Sequence, residues 1–113
     1  MPLEIRVGGR QTGRTKWLIQ LCHEAEKRGE VSYIVCMSHS EAYRISQLAQ
    51  ELNTPIPFPL TYEEFITRSY HGQNIRNLYI DNVEMLVQYL AAAPVTAMTV
   101  TKERDDVPDY LKP

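Results

Sequence analysis

The 113-residue sequence predicts an α/β fold, a three-layer arrangement in which a parallel sheet of about four strands is flanked by helices. Short β-rich runs alternate along the chain with longer segments of helical periodicity, and no two-residue hairpin signal joins any two strand runs. The second run, YIVCM at residues 33–37, is continuously apolar, as strands covered on both faces are. With 43% hydrophobic residues the chain can bury one modest core. One domain is therefore expected over residues 1–102, followed by an irregular acidic tail at 103–113 in which Glu103, Asp105, Asp106 and Asp109 are solvated.

Each element has a local reason. Leu3, Ile5 and Val7 alternate with Glu4 and Arg6, the pattern of a strand with one poorly covered face, which stops at Gly8 and Gly9. Over residues 14–28 the positions Trp17, Leu18, Leu21, Cys22 and Ala25 recur at helical spacing, and Gly29 supplies the stop. Residues 31–37 form the second strand. Ser38 and Glu41 then have capping-box spacing before a helix whose apolar stripe is Ala42, Ile45, Leu48, Ala49 and Leu52, ending near Asn53.

Three prolines in TPIPFPL, residues 54–60, block helix and central-strand pairing, so this stretch reads as an extended connector. Thr61 and Glu64 repeat the capping-box spacing and start a short helix through Phe65, Ile66 and Ser69, closed by His71 and Gly72. The third strand, residues 78–80, ends at Asp81 and Asn82. A helix over 83–93, ended by Pro94, leads to a fourth strand at 95–101, VTAMTVT.

Composition excludes more than it assigns. Twelve basic against 14 acidic residues leave no global footprint for nucleic acid. Cys22 and Cys36 sit in apolar runs without C-x-x-C spacing and read as buried free thiols, which fits a reducing cytoplasm. No segment reaches the roughly 18 apolar residues of a membrane span, and the N-terminus lacks the pattern of a leader. His23, His39 and His71 have no metal-ligand spacing and read as surface or cap residues. Trp17, Tyr33, Tyr43, Phe58 and Tyr62 read as packing residues rather than as a platform for stacked bases.

The chemistry concentrates in GGRQTGRT. Gly8, Gly9, Arg10, Gln11, Thr12, Gly13, Arg14 and Thr15 match G-x-x-x-x-G-[K/R]-T between a predicted strand and a predicted helix. Glycines let such a loop curl with its N–H groups inward, and the helix N-terminus adds positive potential where phosphates sit. Thr15, in the first helical turn, can offer its hydroxyl to a magnesium ion. The plainer alternative is a strand end followed by a tight turn at Gly13. A dinucleotide fingerprint does not fit, because no G-x-G-x-x-G is present.

This stretch resembles the Walker A loop of P-loop NTPases, and its RQTG portion is similar to that of phage terminase large subunits and helicase-like ATPases. LYIDN, residues 78–82, is similar to a Walker B strand. The resemblance implies a RecA-like core with strands in the order 2-3-4-1, and binding of ATP or another nucleoside triphosphate with Mg2+. It further implies that residues 8–15 surround the phosphates and that Thr15 and Asp81 serve the metal, Asp81 through water. Thr99 or Thr101 would be a γ-phosphate sensor, although β propensity alone accounts for both threonines. A phage or mobile-element setting, and then a host cytoplasm, follows from the same resemblance.

MSHSEA and LTYEEF resemble, more loosely, helicase segments that touch single strands, yet Ser38 and Thr61 are accounted for as helix caps. Asp81 also has capping spacing to Glu84, a second account of that aspartate.

Two departures shape the expected activity. Arg14 stands where the family has a lysine, and its planar guanidinium replaces a compact ammonium. Asn82 stands where the family has a water-polarising glutamate, and an amide cannot act as a base. The expectation is a nucleotide-binding protein with weak or absent hydrolysis. Two alternatives stay open: a non-catalytic protein-interaction module on the same scaffold, and a nucleic-acid-dependent ATPase completed by a partner. In the order 2-3-4-1 the first strand is an edge, which a second copy or another protein would cover.

Overall fold

A computed structural model describes residues 3, 5–6, 13–67 and 74–99 of the chain. The helix predicted from the Trp17, Leu18, Cys22 and Ala25 spacing is α1 (Arg14–Lys27), and the chain turns out of it through Gly29, whose φ of 77° suits a residue without a side chain. Next comes β1 (Ser32–Cys36), then α2 (His39–Glu51), whose first turn is capped by Ser38 Oγ accepting the Glu41 N–H at 3.3 Å. A two-residue strand, β2 (Leu60–Thr61), runs directly into α3 (Tyr62–Ile66). The Thr61–Glu64 capping box closes in both directions, at 3.1 Å from Glu64 N to Thr61 Oγ1 and 3.0 Å from Thr61 N to Glu64 Oε1. The last two elements are β3 (Asn77–Ile80) and α4 (Val83–Ala91).

The described strands form a parallel sheet in the order β2-β1-β3, with Val35 opposite Leu60 on one side and Ile34 opposite Tyr79 on the other. Because side chains alternate along a strand, β1 feeds two cores. Ile34 and Cys36 pack with Leu18, Ile19 and Cys22 of α1 and with Ala42, Ile45 and Ala49 of α2. Val35 faces the opposite way and packs with Tyr62 of α3 and Leu86 of α4. The result is a small α/β domain with helices on both faces of the sheet. Cys22 and Cys36 are buried free thiols, as the apolar runs around them predict. Among the described residues no helix is long and apolar enough to cross a membrane.

Four expectations need correction. Residues 95–99 of the predicted fourth strand lie in no regular structure, and 100–101 are outside the described residues. Val95 alone of the five is partly covered, so the β-rich composition lacks both the ladder and the buried face that would make it a strand. The connector at 54–60 ends one residue early: Pro57 and Pro59 lack the N–H a ladder needs, and pairing starts at Leu60, immediately past the last proline. β1 is consequently central, and of the order 2-3-4-1 the described sheet retains only the contact between the second and third predicted strands. Finally, the last helix stops at Ala91, before Pro94, because Ala92 takes a left-handed conformation with φ 53°.

Of the predicted first strand, Leu3, Ile5 and Arg6 are described and none is in a strand; its other residues lie outside the described set. Arg6 nonetheless touches the fold, its guanidinium carbon 4.2 Å from the centroid of the Trp17 ring.

Candidate functional site

Topology gathers the helix N-termini at one end. The strands are parallel, and α2, α3 and α4 each begin within three residues of a strand's C-terminus. α1 leads into β1 through a short turn and packs back along it, so its N-terminus reaches the same end. Open α/β sheets bind their ligands beyond the carboxyl ends of the strands.

Gly13 is the N-cap of α1, with φ 78° and ψ 14°, and no side chain caps the first turn. Nothing lies within 4 Å of where a Cβ would sit, so the requirement for glycine here is conformational rather than steric. Arg14 and Thr15 occupy the first helical turn and are half-buried. Gly8, Gly9, Arg10, Gln11 and Thr12, the rest of the predicted phosphate loop, lie outside the described residues.

Asp81 follows β3 and is 7% exposed. Its N–H donates to the Val35 carbonyl at 2.9 Å, which continues the β1–β3 ladder by one residue, and its own carbonyl accepts from the Tyr62 hydroxyl at 2.8 Å. The backbone is thus held on both sides. Burial pushes the carboxyl above the usual carboxylate range; Arg14 is the strongest charge acting the other way, with Arg44 adding to it, whereas Glu41 and Glu84 push upward. Arg14, distant in sequence, therefore bears on the Asp81 carboxyl in the fold.

The capping account of Asp81 does not hold. Asn82, not Asp81, is the N-cap of α4, and no side chain bonds the first turn. Asn82 has φ 56° and ψ 60°, a conformation that L-residues adopt sparingly and asparagine more readily than most. Glu84, two residues on, is exposed.

A single buried carboxylate beside a helix N-terminus suits a magnesium ion held mostly by phosphates and water, since such ions take one or two protein carboxylates. Among the described residues no three His, Cys, Asp or Glu side chains gather into a protein-only cation cage. Thr99 is exposed and in no strand, and Thr101 lies outside the described residues. A groove of about 440 Å³ lined by His23, Glu26, Lys27, Pro55, Ile56 and Pro57 lies toward the other end of α1 and holds none of the predicted site residues.

Sequence reasoning missed Tyr62. Its hydroxyl reaches the carbonyls of both Asp81 and Asn82, at 2.8 and 2.9 Å, from the first position of α3. The capping box announces the helix, but no spacing rule announces which carbonyl a tyrosine in its first turn will meet. Comparison with protein-family models, with curated proteins and with solved structures finds no match in any of the three.

Proposed function

We propose that the chain binds a nucleoside triphosphate, ATP or a relative, together with Mg2+ at the carboxyl end of its sheet, and hydrolyses it slowly or not at all. The observation that supports this reading best is Asp81, only 7% exposed at the end of β3, whose carboxyl is raised by burial and lowered by Arg14 at the start of α1. In the proposed complex the N–H groups that open α1 and the Arg14 guanidinium face the phosphates, and Thr15 and Asp81 serve the metal. Magnesium there would neutralise phosphate charge. Asn82 cannot take a proton from water, and loss of a general base lowers rate by on the order of 10²–10⁴-fold.

Isothermal titration of the full chain with ATP and Mg2+, beside Gly13→Asp and Thr15→Ala, tests the reading. Binding by the parent chain that both variants weaken is the expected result. No heat at millimolar nucleotide would overturn it.

A second reading has its own observation. Val83, Met85, Tyr89 and Leu90 of α4 are all exposed, although α4 is the most apolar helix of the four. An apolar exposed helix face suits a protein-interaction module that retains this scaffold without using nucleotide. Absence of ATP binding in the same titration favours that reading.

A further inference from the structure

A tyrosine buried beside a site-forming turn usually serves packing alone, and Tyr62 does pack: it is 1% exposed, lies with Val35 and Leu86 in the core, and meets the Tyr89 ring edge-on at 6.1 Å between centroids. Packing leaves its hydroxyl unexplained. That hydroxyl has one proton and spends it on two carbonyls of consecutive residues, Asp81 at 2.8 Å and Asn82 at 2.9 Å. These residues form the whole link between β3 and α4.

We infer that Tyr62 is a positioning residue of the Asp81 site, its hydroxyl clamping the turn that carries the carboxylate meant for the nucleotide-bound magnesium. The inference rests on the nucleotide reading above.

Three features make the clamp specific. The Thr61–Glu64 capping box fixes where α3 begins, and so fixes the height at which Tyr62 leaves the backbone. The ladder bond from Asp81 N–H to Val35 holds the other side of the same residue. Asn82, in the left-handed region, is the point at which the chain leaves the strand direction, and a turn of this kind persists only where its surroundings over-determine it. Remove the hydroxyl and the ladder bond still anchors the strand end, but the Asp81–Asn82 turn loses its restraint from the α3 side. A metal ligand carried by that turn then has more freedom, and groups that orient a ligand typically change metal affinity by about 10–100-fold when lost.

Titration of ATP into the full chain in Mg2+ and again in EDTA separates this role from packing. The parent chain is expected to bind more tightly in Mg2+. Tyr62→Phe keeps the ring and loses the hydroxyl, so it should lose about 10–100-fold of the magnesium-dependent gain while its affinity in EDTA stays unchanged. Should that variant fail to fold, Tyr62→Phe combined with Asn82→Gly relieves the left-handed residue and leaves the carbonyls unclamped, with the same loss expected. A full magnesium gain in the variant, or equal weakening in Mg2+ and EDTA, overturns the positioning role and leaves the nucleotide reading intact. A parent chain that binds no ATP overturns both.

Discussion

Asn77 and Ser32 face each other across the β1–β3 pair, and the Asn77 side-chain amide donates to Ser32 Oγ at 3.0 Å and to Glu30 Oε1 at 2.9 Å. Ser32 is fully buried, at the start of a strand that is otherwise mostly apolar. A slip of one residue would turn Asn77 to the other face and take its amide away from the Ser32 hydroxyl, so the pair specifies register as well as stabilising it. Asn77→Ala is expected to lower unfolding free energy by about 0.5–1.5 kcal/mol, the net worth of a hydrogen bond, because the Ser32 hydroxyl keeps its bond with Tyr79. The double variant with Ser32→Ala should lose less than the two single losses added, by about 0.5 kcal/mol or more. Urea unfolding of the four proteins measures this, and strict additivity would show that the two side chains act independently.

Asp81→Asn should stabilise the fold at neutral pH while abolishing the magnesium-dependent part of the proposed ATP binding. Burial raises the Asp81 carboxyl above its ordinary value of 3.8, so the folded state holds its proton to higher pH than the unfolded chain does. Below 3.8 both states are protonated and the group adds no penalty; as pH rises through the raised folded value, the parent chain loses the stability that the neutral form contributes. An amide has no such dependence. The variant's thermal midpoint should therefore exceed the parent's at pH 7 and converge with it near pH 3. A variant that melts lower at pH 7 would mean that the carboxylate is stabilised by its charged neighbours rather than penalised by burial. The stability gained and the function lost would come from the same buried charge.

How much of this was legible in the sequence depends on the range of the interactions involved. Ser38 and Thr61 announced their helices because a cap reaches only three residues along the chain, and Gly29 announced a stop because its backbone conformation is a local matter. β1 was legible because a strand buried on both faces has an almost unbroken apolar run. Pairing is a property of two segments, and there the reading failed in both directions. Residues 95–99 have the composition of a strand and no ladder, whereas Leu60 and Thr61 form one against β1 immediately after a proline. In the site, the position of Asp81 at a strand end was readable, but its spacing to Glu84 suggested a cap that the structure does not make. The Tyr62 hydroxyl acts on residues 19 and 20 positions away, beyond any local rule.

The two thiols should make the domain sensitive to alkali. Burial, assisted by Glu26, pushes Cys22 from 9.0 up to about 12, and burial pushes Cys36 up to about 11. Below pH 9 both thiols are protonated in folded and unfolded chains alike, and they contribute no pH dependence. Above it the unfolded chain releases protons that the folded one retains, so stability falls by up to about 1.4 kcal/mol per pH unit for each thiol until the folded values are passed. Tyr62, raised mainly by its burial, steepens the loss above its ordinary value of 10. Urea midpoints taken from pH 7 to 11 should be flat at first and then decline, and Cys22→Ala with Cys36→Ala should make the decline shallower. A decline that is unchanged in the double variant would assign it to other groups. A thiol reagent should meanwhile react slowly with the native chain and at once in denaturant.

Gly13 and Gly29 form a matched pair at opposite ends of α1. Their φ values are 78° and 77°, and an added Cβ would meet nothing within 4 Å at either. Alanine at each position must adopt a left-handed backbone, which costs roughly 1–2 kcal/mol, partly offset by about 0.4–1 kcal/mol from a less flexible unfolded chain. The two substitutions should therefore lower stability by similar small amounts. Their effects on ATP should differ. Gly13 opens α1 at the carboxyl end of the sheet, where the phosphates are proposed to lie, whereas Gly29 turns the chain toward the start of β1. Gly13→Ala should weaken ATP binding measurably, and Gly29→Ala should leave it unchanged once the folded fraction is matched. Equal weakening in both would trace the effect to the fold as a whole. Binding that survives Gly13→Ala intact would show that phosphate recognition does not depend on the left-handed entry into α1, and the phosphate-cradle reading of residues 8–15 would lose its principal backbone requirement.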